Sequence, residues 1–173
     1  MKALKVAVVF YAVLFAVAGL LIRYAIVSNR ETVAQEAIVN EVKDLIDDSR
    51  RAGDRIAVYG RALVWDMQSN SRSDVNAQLQ SSLQAKSTDR PITVFMVIGT
   101  RNEQVGTYSI SKEPAYRQYV DIAVASWPEK KALGFHSVVS NEPRSSRQVQ
   151  STPEYGGINQ PVADWINTLP TVQ

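Results

Sequence analysis

Cysteine is absent from this chain of 173 residues. Its absence excludes disulfide bonds, thiolate metal sites and catalysis by a thiol. Histidine occurs once, at His136, so a site with several imidazole ligands is also excluded. The chain has no Asn-x-Ser/Thr acceptor for N-glycosylation. We therefore expect a bacterial or phage protein without disulfides.

The chain has little excess charge of either sign. It carries 19 basic and 17 acidic residues, a net charge of +2, and the two signs are interspersed along the sequence. A nucleic-acid-binding protein usually has a basic patch, and none is visible here. We expect no nucleic-acid partner, and the length allows one modest domain besides any anchor.

One long hydrophobic run is present at the amino terminus. It extends from Val6 to Ile22, and to Val27 if the side chain of Arg23 snorkels. This run predicts a transmembrane anchor over residues 1–27. The side chains expected in the bilayer are Val6, Phe10, Leu14, Leu20 and Ile22.

A cleaved signal peptide is the alternative for the same run. Lys2 and Lys5 would form its basic region, and residues 16–18 resemble a cleavage site. We favour the anchor because apolar residues continue past that site. The flanking charges are nearly balanced, and we expect the amino terminus in the cytoplasm of a bacterium and the larger part in the periplasm, as a single-pass inner-membrane protein.

Residues 28–67 are predicted to form one long amphipathic helix. Apolar or small residues at spacings of three and four form one stripe, which comprises Ile38, Val42, Leu45, Ser49, Ala52, Ile56, Tyr59 and Leu63. We interpret Ile38, Val42, Leu45, Ala52 and Ile56 as a surface for a partner or for self-association. In an alternative interpretation, the stripe packs against the protein's own strands. A second alternative concerns the length of the helix, which Gly53 would divide in two.

Residues 68–140 are predicted to form a small α+β domain. Its expected elements are a short helix over 74–85, strands over 92–98 and 104–110, a helix over 113–127 and a strand over 132–139. Residues 141–173 read as an extended tail rich in Pro, Ser and Gln, with one or two helical turns near 162–169. The predicted fold class is α+β, with a small, mainly antiparallel sheet.

Candidate catalytic groups are few. Asp44, Asp47 and Asp48 share one helical face, but we interpret them as solvated acids paired with nearby arginines. His136 is expected to be an ordinary strand residue, and the serines lack the surroundings of a nucleophile. We therefore predict no catalytic residue, no metal, no cofactor and no enzymatic activity.

The element order resembles a known family. A membrane helix continuing into a long helix, then the sequence Asp74-Val75-Asn76-Ala77-Gln78-Leu79, a hairpin over 92–110 and the sequence Ala115-Tyr116-Arg117-Gln118-Tyr119-Val120 are similar to the PAS-like half of Cache-type extracytoplasmic sensor domains. The resemblance covers about residues 32–139 and implies a ligand pocket, without assigning its residues. Such sensors return through a second membrane helix to an output domain, and this sequence shows neither, so we expect action through partners.

Two functions follow as expectations. The first is a non-enzymatic structural or interaction subunit of a membrane-anchored assembly, such as a secretion, pilus, conjugation or phage complex. Its partners would be the lipid bilayer, other subunits of the complex and the protein itself. The alternative is a ligand-sensing accessory domain, which should contain a closed pocket beneath the sheet with convergent polar groups.

Overall fold

The computed structural model describes residues 2–53, 56–107, 114–140 and 158–172, with residues 2–16 described as backbone. Its helices are α1 (Lys2–Val42), α2 (Ile46–Arg51) and α3 (Asn159–Thr168). Its strands are β1 (Val58–Tyr59), β2 (Arg61–Asp66), β3 (Ser71–Arg72), β4 (Ile92–Thr107), β5 (Pro114–Trp127), β6 (Lys131–Val139) and β7 (Thr171–Val172). Two 3₁₀ turns cover Lys43–Leu45 and Asp74–Gln78. The α+β class is as predicted.

The amino-terminal run is helical but does not form the predicted anchor. No helix of the described residues is both long and apolar enough to cross a membrane. The uncharged run from Val6 to Ile22 has 17 residues, whereas a bilayer core needs about 20, and its extension depended on Arg23. The transmembrane anchor, the single-pass topology and the inner-membrane location are therefore wrong.

The long helix predicted over residues 28–67 ends much earlier. Helix α1 stops at Val42, α2 stops at Arg51, and Gly53 follows with a left-handed φ of +88°. The break predicted at Gly53 is therefore present, but the second helix expected after it is not, because residues 58–59 and 61–66 are strands. Residues 58–66 form β1 and β2 because their β-branched and aromatic side chains suit a strand, and pairing with β4 outweighs the helical spacing.

Among the described residues, the main sheet has five strands in the order β3-β2-β4-β5-β6. Strand β2 pairs with β4 in parallel, and the other neighbours are antiparallel, so the sheet is mixed. The parallel pair requires a crossover, which residues 67–91 supply. Strands β1 and β7 form a separate parallel pair.

Strands β4 and β5 replace three predicted elements. The expected strands over 92–98 and 104–110 are one strand as far as Thr107, with bulges after Val97 and after Gln104. The helix predicted over 113–127 is wrong, because these residues form β5 from Pro114 onward. Its apolar residues have helical spacing but are rich in aromatic and β-branched types, and pairing along both edges selects the strand.

The remaining predictions have mixed outcomes. The strand over 132–139 is confirmed as β6, and the helical turns near the carboxyl end are confirmed as α3. The helix predicted over 74–85 is reduced to a 3₁₀ turn, in which the Ser73 hydroxyl accepts a hydrogen bond from the Val75 amide at 3.3 Å. The extended tail over 141–157 lies outside the described residues.

The sheet is packed on both faces. Phe95 and Val124 face a cluster formed with α3 and with residues 75–83. Leu63, Trp65 and Val94 face a second cluster, formed with the carboxyl end of α1. Strand β4 is fully buried from residue 92 to residue 96, as predicted for a central strand.

The turn between β1 and β2 depends on a glycine. Gly60 has a φ of +69°, and a Cβ atom there would collide with the carbonyl oxygen of Pro91. The amide of Gly60 also donates to the carbonyl of Val172 at 3.1 Å. A side chain at this position is therefore disfavoured by both conformation and space.

We expect Gly60→Ala to lower the free energy of unfolding by about 1–3 kcal/mol, because it adds backbone strain and a collision. Urea denaturation followed by tryptophan fluorescence measures this change. Gly106→Ala is the matched control, since an added Cβ there meets nothing within 4 Å. Equal stability of the two variants would contradict this explanation.

Candidate interaction surface

The carboxyl end of α1 is fixed to the sheet by apolar contacts. Ile38, Val39 and Val42 lie on one helical face and are almost completely buried. They belong to the same cluster as Leu63 and Trp65 of β2. Burial of each such side chain is worth roughly 1.5–3 kcal/mol, so this face anchors the helix.

Polar contacts extend the junction towards the amino terminus. The Glu31 carboxylate accepts hydrogen bonds from the Ser87 amide at 2.5 Å and from the Ser87 hydroxyl at 2.7 Å. Gln35 is 0% exposed, and its side-chain amide donates to Glu31 at 2.9 Å and to the Ala85 carbonyl at 3.2 Å. These bonds hold the helix against the segment that follows the 3₁₀ turn.

Glu41 makes a third contact between the helix and the sheet. Its carboxylate accepts from Lys130 at 3.1 Å and from the Trp127 indole at 3.2 Å. The guanidinium carbon of Arg90 lies 3.7 Å from the centre of the Trp127 ring. The hydrogen bonds from Lys130 and Trp127 lower the pKa of Glu41 because they stabilise its charged form.

These contacts define the path of the helix. Helix α2 lies against β5 and β6, where the Ser49 hydroxyl donates to the Val124 carbonyl at 3.0 Å. Towards the amino terminus, Glu36 accepts from Asn70 at 3.0 Å, and Tyr24 then borders a cleft with Arg72 of the edge strand β3. The helix therefore crosses the strands and leaves the sheet beside β3.

Residues 17–30 of α1, which run from this cleft away from the sheet, are here called the projecting segment. It holds seven of the twelve large hydrophobic side chains that are exposed in the described part of the chain. Leu20, Leu21 and Ile22 are consecutive and are 67%, 64% and 62% exposed. Because consecutive helical residues point about 100° apart, apolar surface is exposed around the helix and not on one stripe.

The structure separates the predicted site residues. Leu20 and Ile22 belong to the projecting segment, whereas Val6, Phe10 and Leu14 lie where the structure describes only the helical backbone. Ile38, Val42 and Leu45 of the predicted stripe come together against the protein's own sheet. Ile56 is buried in the other cluster, and Ala52 is exposed.

The candidate chemical groups are placed in structural contacts. The ring of His136 stacks on Trp165 with centroids 4.5 Å apart. Asp47 and Asp48 are exposed and form ion pairs with Arg50 and Arg51 respectively. Within the described ranges, no group of three or more acidic or histidine side chains could hold a metal ion.

The cavities at the margins of the sheet, in the described part of the chain, include the following pair. One, of about 650 Å³, is bordered by Gly60, Arg61, Asn167 and Thr171, where β1 and β7 meet. The other, of about 440 Å³, is the cleft between residues 24–32 of α1 and residues 81–86. A ligand in the second cavity would touch the helix directly.

No protein-family model, curated protein or solved structure matches this chain. The resemblance to Cache-type sensor domains therefore stays a prediction. Sequence reasoning missed Glu31, Glu41 and Trp127, the polar side chains that fix the helix. Their partners are distant in the sequence, so no local pattern points to these contacts.

We expect the contact made by Glu41 to weaken in acid. Because its pKa is lowered in the folded protein, its contribution to stability is present above the unfolded value and is lost as the pH falls through the folded value. Thermal unfolding measured from roughly pH 6 to pH 3 should show a smaller decrease in midpoint for Glu41→Gln than for the natural chain. Glu129→Gln, in an exposed acid close to Lys130, is the control. An identical decrease in all three proteins would contradict the contribution of Glu41.

Proposed function

We propose that the protein is a non-enzymatic interaction subunit of a protein assembly, in which the projecting segment binds another copy of this chain. The observation that carries this proposal is the concentration of exposed apolar side chains in residues 17–30. Extended apolar surface on a folded protein usually marks a site of association. A partner chain would remove these side chains from water.

The free energy gained by burying these side chains favours association. Burial of one leucine or isoleucine side chain is worth roughly 1.5–3 kcal/mol, and the projecting segment offers several. Helices that associate through such side chains bury them against apolar residues of their neighbours. Few of these contacts are needed to offset the entropy lost on association.

The junction explains why the helix and the sheet belong to one subunit. The buried face at Ile38 and Val42 fixes the direction of α1, and the bonds made by Glu31 and Glu41 prevent rotation about its axis. A partner bound to the projecting segment would therefore hold the sheet in a defined orientation. This property suits a structural subunit.

The chemical groups also favour a structural role. His136 is stacked on Trp165, and the aspartates of α2 pair with arginines at the surface. These contacts do not assemble a nucleophile beside a base, which hydrolytic chemistry requires. The proposal therefore assigns binding and no catalysis.

Ligand sensing is the second candidate, and the cleft of about 440 Å³ beside α1 favours it. Its lining includes Glu31, Arg72 and Lys86, so it presents charges of both signs to a ligand. A ligand there would bridge α1 and the segment after the 3₁₀ turn. Its occupancy would then act on the same helix that binds the partner.

The proposal predicts that polar substitutions in the projecting segment reduce association. We expect this chain of 173 residues to form a discrete multiple of its 19.2 kDa mass in light scattering. Leu20→Gln combined with Val27→Gln should weaken this assembly by at least about tenfold in concentration, because two exposed apolar side chains no longer contribute. Val172→Gln, an exposed valine outside the helix, is the matched control.

Two results would contradict the proposal. One is a chain that remains a monomer at every concentration and is unchanged by both sets of substitutions. The other is an equal loss of mass in the helix variant and the Val172→Gln control. Unfolding curves of the variants show whether the domain remains intact.

A further inference from the structure

Strand β4 has a long edge that is unpaired in the described part of the chain. Its neighbour β2 pairs with it only as far as Val97, and the Met67 amide makes the last bond, to the Val97 carbonyl at 2.9 Å. Beyond this point β4 continues to Thr107 and pairs only with β5 on its other side. Its side chains from residue 100 to residue 107 are exposed.

The middle of this edge is regular. Between the two bulges, residues 99–104 pair with β5 without interruption. A bulge distorts a strand and interrupts pairing, so a new strand could add only along this central stretch. The stretch has the sequence Gly-Thr-Arg-Asn-Glu-Gln.

The hydrogen bonds made by β5 show in which direction the backbone amides and carbonyls of β4 point. Gln118 makes two bonds on the side away from β4: its carbonyl accepts from the Ser140 amide at 2.8 Å and its amide donates to the Ser140 hydroxyl at 3.1 Å. Gln118 is opposite Asn102 in β4. In an antiparallel pair, two opposite residues either both face each other or both face away. The amide and carbonyl of Asn102 therefore point to the open edge, as do those of Thr100 and Gln104.

The side chains around Asn102 form a self-complementary pattern. Arg101 and Glu103 flank Asn102 and lie on the same face of the strand. In a two-fold symmetric interface, if one residue of the first copy is opposite a second residue of the other copy, the same two residues also face each other with the copies exchanged. Two antiparallel copies centred on Asn102 would place Arg101 of each copy opposite Glu103 of the other.

Other symmetric registers lack this match. A centre at Arg101 places two arginines opposite each other, and a centre at Glu103 places two glutamates opposite each other. Like charges opposite each other in a sheet are destabilising, whereas opposite charges stabilise by roughly 0.2–1 kcal/mol. Only the centre at Asn102 combines paired charges with outward backbone groups.

We infer that two copies of this chain associate through the open edge of β4, in antiparallel register centred on Asn102. The interface adds about six backbone hydrogen bonds, from Thr100, Asn102 and Gln104 of each copy. It joins the two five-stranded sheets into one continuous sheet. Arg101 contacts the Tyr119 ring at 4.2 Å and Asp121 at 3.9 Å, yet its side chain is 56% exposed and can reach the second copy.

This contact is separate from the projecting segment. Helix α1 leaves the sheet beside β3, whereas the open edge belongs to the hairpin of β4 and β5. A subunit with two different contact surfaces can join two partners at once. The inference therefore goes beyond the proposed function, and its test is designed so that either can fail alone.

The test uses the absence of cysteine. In the inferred register the two Asn102 Cα atoms lie about 5.5 Å apart, within the range for a disulfide. The two Thr100 Cα atoms are displaced by four residues, about 14 Å, which is too far. Under mild oxidation of the full chain we expect Asn102→Cys to form disulfide-linked dimers at least about tenfold faster than the control Thr100→Cys.

Charge reversal tests the register independently. Added to Asn102→Cys, either Arg101→Glu or Glu103→Arg should slow the formation of dimers, because like charges then face each other. The two reversals together should restore it. Within one chain the double reversal places a glutamate beside Asp121, so recovery cannot come from better folding of the monomer.

Equal rates for the two cysteine variants would overturn the inference, and so would failure of the double reversal to recover. If a strand of the same chain instead occupies this edge, Asn102→Cys and Thr100→Cys should form disulfide-linked dimers equally slowly. The measurement is repeated with Leu20→Gln and Val27→Gln added. It then shows whether dimer formation through β4 depends on the projecting segment. Fast coupling that persists there supports the β4 contact whether or not the projecting segment binds a partner.

Discussion

The contact between the carboxyl end of α1 and one face of the sheet governs the rest of the molecule. Ile38, Val39 and Val42 cover Leu63 and Trp65, and without this cover the central strands would expose one face to water. The same contact fixes where the helix crosses the strands and where it leaves them. Glu31 and Glu41 then restrict its rotation, so one junction serves both stability and geometry.

That junction gives the two exposed features of the protein a fixed relationship. The projecting segment leaves beside β3, and the hairpin of β4 and β5 extends the sheet beyond the last residues of β2 and β6. The first surface is apolar, whereas the second offers backbone hydrogen bonds and paired charges. Because the two kinds of surface recognise different structures, contacts made by one do not compete with contacts made by the other.

Local sequence patterns predicted only part of this structure. The buried centre of β4 was predictable because a β-branched run next to Pro91 has few alternatives, and the same holds for β6. Strand β5 was assigned as a helix because Tyr116, Tyr119 and Val120 have helical spacing, and only its pairing with two distant strands decides otherwise. The bonds of Glu31 to Ser87 and of Glu41 to Trp127 join residues far apart in sequence, and single residues carry no signal for such pairs. Exposure of the projecting segment could be seen only once the helix end was placed on the sheet.

Hydrogen exchange along α1 in the whole chain of 173 residues tests the central claim most directly. An unsupported helix end frays and exchanges quickly, whereas a bound helix is protected. If the projecting segment binds a protein chain, all amides from residue 17 to residue 42 should be protected from exchange in the assembled protein. Their protection should not change abruptly at Gln35. Protection that begins only near Gln35, in a sample of assembled protein, would show that residues 17–30 are not the contact surface and would contradict the account.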